Sequence, residues 1–408
     1  MLVGITIKNY KGIREISHLP LSRFHILVGP NGVGKTTFLD AIDFVRDCLV
    51  GSPASAVESR HAMDFNDLTW MRQGGVIEIG CWLDLSEQLP NLSDSLLHYK
   101  VVIKQDATVG VCVEEEALHQ HSKHALGGKR TLAGIAEEKP KKRLLGKTSK
   151  GKDFYSRETS SYTDHFNFGL DKMALALTPP DVERYPTANG VKQFLMQGVR
   201  SIQLNSAAMR LPCAATRSAI LELDGTNMAR VVGRLLGANG GHGPYWAESG
   251  SRVWEWAGHL RYALPDLVGI GWARRQADNA EYLMLRYTNG LEAPSWVLSD
   301  GTLRMLALTL PAFLSPEPCL YMVEEPENGV HPKALEIILR SLSMVPRAQV
   351  FLATHSPFVV QQCGVKPLLC FRSDEKGTHI TTGSEHPMLK EWDGIPDLGV
   401  VFAAGVLE

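Results

Sequence analysis

Gly29-Pro30-Asn31-Gly32-Val33-Gly34-Lys35-Thr36 fits the spacing G-x-x-x-x-G-K-[ST] and follows directly on the apolar run Phe24 to Val28. A buried strand that turns through glycines into a helix aims backbone N–H groups and the positive end of the helix dipole at one point, which is where a phosphate binds. Lys35 adds a point charge for the β- and γ-phosphates, and the Thr36 hydroxyl is a ligand for Mg²⁺, with Thr37 beside it on the first helical turn. The expected ligand is a nucleoside triphosphate held by residues 29–37.

Three further elements follow late in the chain. Leu298-Ser299-Asp300-Gly301-Thr302-Leu303-Arg304 leads into the apolar-periodic segment Met305 to Leu314, so Ser299 and Gly301 are expected at a helix N-terminus, where free N–H groups meet an anion. The strand-like run Leu320-Tyr321-Met322-Val323 ends in Glu324-Glu325, two carboxylates at the C-terminal end of a buried strand, the edge where open α/β sheets bind ligands. Val350-Phe351-Leu352-Ala353 reads as another buried strand, closed by Thr354-His355-Ser356-Pro357, and His355 is a donor suited to a γ-phosphate.

In this order the elements resemble the ATP-binding-cassette ATPases of the RecF, SMC and overcoming-lysogenization-defect (OLD) type, and among them the stand-alone OLD-like ATPases. The latter often carry Glu-Glu-Pro-Glu-x-Gly-x-His-Pro, here Glu324 to Pro332. The resemblance implies an α/β fold of the P-loop NTPase class, an ABC-type ATPase head with a mixed β-sheet and a helical signature-loop lobe. It makes Ser299 and Gly301 the signature loop, Glu324 the Walker B acid on the Mg²⁺ shell and Glu325 the general base that positions water. Pro326-Glu327-Asn328 becomes the D-loop and His355 the switch histidine, so that Lys35, Glu325 and His355 form the expected catalytic set. Two departures stand out. Walker B usually ends Asp-Glu, and the longer Glu324 would hold Mg²⁺ through water; Asp300 stands where transporters have Gly. Ile5-Thr6-Ile7-Lys8-Asn9-Tyr10-Lys11-Gly12-Ile13 looks like the first strand and basic turn of RecF and SMC heads, from which Lys11 or Arg14 would reach the nucleotide. Ile202 to Leu236 resembles the linker between lobes. Gln193, Gln197 and Gln203 are candidates for the glutamine that links Mg²⁺ to the second lobe; Gln203, at the end of Val199-Arg200-Ser201-Ile202, has the most strand-like approach and joins Thr36 and Glu324 as the metal set.

At 408 residues, 44% hydrophobic and a formal net charge of -2, the chain can bury a large core, and no global charge excess advertises nucleic acid. The absence of an apolar stretch of about 18 residues, or of a basic-then-apolar start, argues against a membrane partner or a secretory signal, so a cytoplasmic location is expected. The 7 cysteines are scattered without a C-x-x-C pair, which speaks against a disulfide framework, a structural zinc on cysteines and the zinc hook of SMC relatives. No heptad array is present, so the long SMC arm is not expected.

The expected organisation is an N-terminal part of the ATPase domain over residues 1–86, with two strands, a helix to about Val50 and an alternating strand Val76 to Leu83. An inserted β-hairpin and basic-loop region spans 87–200, its hairpin formed by Tyr99 to Lys104 and Val109 to Val113. The helical lobe, with signature loop, Walker B, D-loop and switch histidine, covers 201–408. Lys139, Lys141, Lys142, Arg143, Lys147, Lys150, Lys152 and Arg157, interleaved with Phe154 and Tyr155, read either as a solvated loop or as a run that contacts DNA or RNA phosphates while the aromatics stack on bases. His119, His121 and His124 have a spacing open to metal ligation or to a plain surface cluster, the latter preferred. Trp246, Trp254 and Trp256 read as helical core or a protein-binding face, with core as the default.

In the superfamily the signature serine contacts ATP held by the opposite head, which implies an ATP-dependent homodimer or higher oligomer. Some fifty residues follow His355, fewer than the metal-binding domain that OLD nucleases append. The function expected is therefore an ATPase using ATP and Mg²⁺ that regulates a separately encoded effector, expected to be a nuclease, in anti-phage defence. A RecF-like DNA repair clamp, or an ATP-binding scaffold that restrains a toxic partner with negligible turnover, are the alternatives.

Overall fold

A computed structural model of the chain describes residues 1–123, 131–238, 241–390, 397–405 and 407. Strands are numbered in chain order. The mainly apolar runs at Phe24, Cys319 and Ala348 become β3 (Phe24–Val28), β15 (Cys319–Glu324) and β16 (Ala348–Ala353), neighbours in a six-stranded sheet of order β10-β15-β16-β3-β17-β18. Within it β10 (Val199–Ile202), β15, β16, β3 and β17 (Leu368–Asp374) are parallel, and β18 (Gly377–Thr382) returns antiparallel. Strands buried on both faces have no reason to alternate, and β16 is buried at every residue. The register sets Glu324 opposite Ala353, and Ala353 opposite Leu27, so the Walker B acids, the His355 turn and the glycine loop emerge from one sheet edge.

The second sheet is antiparallel and eight-stranded, ordered β2 (Ile13–Pro20), β1 (Leu2–Tyr10), β4 (Ile77–Leu83), β5 (Ser95–Asp106), β6 (Gly110–Ser122), β7 (Lys142–Lys147), β8 (Asp153–Ser156) and β9 (Thr163–Phe166). Its inner face and the helix Lys35–Val50 share one core with Phe38, Phe44, Tyr99 and Leu145. The expected hairpin is there as β5 and β6. Its continuation is not the expected loop: the basic run folds into β7 and β8, with Tyr155 fully buried and the Lys147 ammonium 2.6 Å from the Asp153 carboxylate, both side chains shut away from solvent. Arg157 is bidentate on Asp164 at 2.7 and 2.6 Å, and Arg143 lies over the Phe154 ring. Base stacking by Tyr155 and phosphate contact by Lys147 are thereby excluded; Lys139, Lys141, Lys150 and Lys152 remain exposed.

The lobe that carries the signature loop is not wholly helical. Alongside the helices Met228–Leu235, Arg252–Leu260 and Asp300–Thr309 it contains a four-stranded antiparallel sheet of β11 (Tyr245–Trp246), β12 (Leu267–Arg274), β13 (Glu281–Tyr287) and β14 (Glu292–Pro294). Trp256 is core, donating from its indole to Thr309 Oγ1 at 2.8 Å, whereas Trp254 is exposed. The Asp224-Gly225-Thr226-Asn227 segment is held by the buried Asn227 amide, which donates to Ser218 O and Ile220 O and accepts from Glu222 N–H. No helix among the described residues is long and apolar enough to cross a membrane.

Candidate nucleotide-binding and hydrolysis site

The glycine loop sits between β3 and the helix Lys35–Val50, as the alternation of apolar run and glycines requires. Two glycines are dictated by space. A Cβ on Gly29 would lie 2.4 Å from Phe371 O, and one on Gly34, whose φ is +103°, would lie 2.6 Å from Thr378 Oγ1. Both obstacles belong to the β17–β18 hairpin, so the segment after His355 is a wall of this site and not a solvated tail. Thr378 joins three pieces: its hydroxyl contacts Val33 O at 2.9 Å and Gly12 O at 3.1 Å. Lys35 is buried, with Nζ donating to Gly29 O and Pro30 O, both at 2.7 Å. Its ammonium is thus held inside the loop that would wrap a β-phosphate.

Thr36 Oγ1 donates to Glu324 Oε2 at 2.5 Å, bringing together two residues 288 positions apart. Gln203 follows Ile202, which pairs with Val323, and it lines a 370 Å³ cavity with Glu324, Glu325, Asn328 and Arg304. Gln193 and Gln197 precede β10 and lie at the opposite edge of the parallel sheet. A hydroxyl, a carboxylate and an amide oxygen make a hard, all-oxygen donor set of the kind Mg²⁺ takes. Glu325 adopts φ +47°, turning its side chain away from that of Glu324; the strain is held by Glu325 N–H on Ala353 O at 2.8 Å and Asn328 N–H on Glu325 O at 3.0 Å. Its carboxylate accepts from the Asn328 side-chain amide and lies 4.0 Å from His355 Nε2. Glu327 positions that histidine: Oε1 accepts from Thr354 Oγ1 at 2.6 Å and from His355 N–H at 3.0 Å. Further along the motif, His331 caps the helix Pro332–Ser343, its ring nitrogen accepting from Lys333 N–H, with Pro332 at the first helical position.

Ser299 caps the helix Asp300–Thr309, accepting from Thr302 N–H, and is exposed. A Cβ on Gly301 would fall 2.7 Å from Gly329 O, so the signature loop packs directly on the turn after the D-loop. Arg304 donates to Asn328 O at 3.1 Å and strengthens that joint. Arg210, which sequence reasoning passed over, pairs with Asp300 at 2.6 Å and donates to Leu298 O, bracing the signature loop from both sides.

Lys11 and Arg14 are engaged elsewhere. Lys11 Nζ lies 2.5 Å from Asp40 on the P-loop helix, and Arg14 stacks over Trp70. Burial would raise the Asp40 carboxyl, yet Arg60, Lys11 and Tyr10 together hold it below its ordinary value.

Residues 148–361 match the family model described as "AAA domain, putative AbiEii toxin, Type IV TA system", and residues 1–168 match one described as an AAA ATPase domain. The chain is 35% identical over 66 residues to the DNA replication and repair protein RecF of Bacteroides fragilis, a match that covers 16% of this chain and 18% of that protein. A crystal structure of an SMC head bound to the C-terminal winged-helix domain of ScpA superposes with a TM-score of 0.52 at 11% identity, over 93% of this chain and 97% of that one. At that identity the likeness establishes the ABC-type head fold and nothing further.

Proposed function

The chain belongs to this AAA-domain family of ATPases, and from that premise we propose that it hydrolyses ATP with Mg²⁺, closes as a dimer around the nucleotide, and regulates a separately encoded effector, a nuclease, in anti-phage defence. The observation that carries the chemistry is the Thr36–Glu324 contact at a sheet edge that also carries Glu325, His355 and Gln203. Thr36, Glu324 and Gln203 would hold the metal, which when bound neutralises phosphate charge. Lys35 and the loop N–H groups fix the β- and γ-phosphates, with Gly29 to Thr37 as the cradle. Glu325, locked by its left-handed backbone and by Asn328, orients and deprotonates water, and His355 donates to the γ-phosphate. For Lys11 on the β1–β2 turn or Arg14 on β2 to reach the nucleotide, each must first leave the partner that holds it, Asp40 and Trp70 respectively.

Dimer closure rests on Ser299. The serine is exposed at a helix N-terminus and satisfied within its own chain by its cap on Thr302, an arrangement suited to a phosphate held by a second copy. Regulation of a separate effector rests on the resemblance of Glu324 to Pro332 to the stand-alone OLD-like ATPases; the family description, a putative toxin of a Type IV TA system, bears instead on the reading in which a toxic activity is held in check. The RecF match favours a second reading, a DNA repair clamp without an effector. Size measurement of the Glu325→Gln protein with and without ATP tests the first half: the variant should bind ATP and accumulate as a dimer, and a monomer in both conditions defeats the ATP-gated clamp. ATP-dependent DNA binding at full strength without any partner would instead favour the repair reading.

A further inference from the structure

His98, His119 and His121 lie together on the eight-stranded sheet, which does not contain the P-loop strand β3. Sequence spacing offered His119 and His121 with His124; His124 lies outside the described residues, and the third imidazole comes from the neighbouring strand. His98 on β5 is the cross-strand partner of His119 on β6, and His121 follows two residues on, so all three rings stand on one face of the sheet. One ring nitrogen from each lies within 4.8 Å of the others. Tetrahedral coordination at a Zn–N distance of about 2.0–2.1 Å brings such nitrogens to roughly 3.3 Å, so the rings would have to turn inward by a fraction of the present spacing.

A second observation points the same way. His121 is only 4% exposed, and among the described residues its Nε2 has no hydrogen-bond partner, an orphaned acceptor or donor in a place where one is costly. The surroundings orient the cluster. Trp82, the cross-strand partner of His98 on β4, stacks on that ring at 4.2 Å between centroids and 9° between planes, and it packs with Leu96 and Ile135 of the helix Leu132–Ala136.

We propose that His98, His119 and His121 form a zinc site that clips β5 to β6. Three imidazoles suit a borderline divalent ion, and a tetrahedral ion retains one position for water. The untagged full chain, stripped with a chelator and titrated with Zn²⁺ against a chromophoric competitor, should bind about one ion per chain at this site. His98→Gln, His119→Gln and His121→Gln should each weaken binding by more than the roughly 10–100-fold that loss of an outer-shell partner costs. Glu324→Gln, at the nucleotide site, should leave that binding intact. Co²⁺ loaded into wild-type protein gives an independent readout that does not depend on the variants folding: intense visible bands of tetrahedral nitrogen ligation are expected. Zinc binding that survives all three histidine changes, zinc lost in Glu324→Gln alone, or a Co²⁺ spectrum of an octahedral ion would each overturn the assignment.

Discussion

Glu324 and Glu325 are chemically the same and adjacent, and the backbone separates their tasks. Glu324 ends an extended strand and meets Thr36; Glu325, at φ +47°, meets Asn328 and faces His355. Their amide variants should therefore differ. Glu324→Gln should weaken Mg²⁺-dependent ATP binding, whereas Glu325→Gln should bind ATP normally and lose turnover by about 10²–10⁴-fold; equilibrium nucleotide binding and phosphate release, measured on both, separate the two. Lys35→Ala removes the buried ammonium held inside the glycine loop on Gly29 O and Pro30 O and should lose both binding and turnover with the far-UV spectrum unchanged. Turnover at the wild-type rate in a folded Lys35→Ala protein would remove the loop from the account. Lys35, Thr36, Glu324, Glu325 and His355 were legible because each sits in a short string tied to a strand end. Thr378 and Arg210 were not: one contacts Val33 across 345 positions and the other braces Asp300, and neither lies in a local pattern that announces a partner.

At the level of elements, the joint between signature helix and D-loop is the most exacting contact. Gly301→Ala would place a methyl 2.7 Å from Gly329 O, so the helix Asp300–Thr309 or the turn after Asn328 must shift. The expected cost is about 1–3 kcal/mol of stability, with ATPase activity reduced and binding of ATP to the isolated chain retained, because the P-loop is untouched. Calorimetry beside a turnover assay checks both halves. A second element-scale test addresses the basic run. Lys147→Ala leaves Asp153 buried and unpaired and should destabilise by about 3–5 kcal/mol without a specific effect on nucleic acid, whereas a phosphate-binding lysine would do the reverse. The sequence pattern failed at this hairpin because lysine and arginine read as solvated regardless of partner, and the partners Asp153 and Asp164 belong to the returning strands. It failed at β2 for a different reason. Ile13, Ile16 and Leu19 are buried at intervals of three, a pattern without the alternation by which strands are recognised, and a slip in pairing between Ile5 and Ile7 accounts for the step from Ile16 to Leu19.

On the scale of the whole molecule, the parallel sheet gathers chemistry from both halves of the chain, and the β17–β18 hairpin closes the loop that Gly29 opens. The acids of that last segment are used structurally: Asp374 accepts from Lys376 N–H and His379, Glu385 from the Thr382 hydroxyl, and Asp397 from Gly399 N–H and Gln361. Glu391 and Asp393 lie outside the described residues. Metal-dependent cleavage of DNA needs carboxylates that converge on ions roughly 4 Å apart, and the acids whose contacts are described here are spread over a strand end, a turn and a helix cap. The purified chain with Mg²⁺ or Mn²⁺, ATP and plasmid or RNA should therefore leave the nucleic acid intact. Cleavage that persists through purification and vanishes when Asp374 and Glu385 are replaced would overturn the proposed division of labour between this ATPase and a separate effector. Within the basic run, a contact with nucleic acid would fall to the exposed Lys139, Lys141, Lys150 and Lys152, since Lys147 is buried on Asp153 and Arg157 is paired with Asp164. Replacing three of the four by Gln should weaken binding alike across sequences and flatten the log–log salt dependence by about three units for duplex DNA. An unchanged slope, with binding still measurable, would move the contact off this edge of the antiparallel sheet.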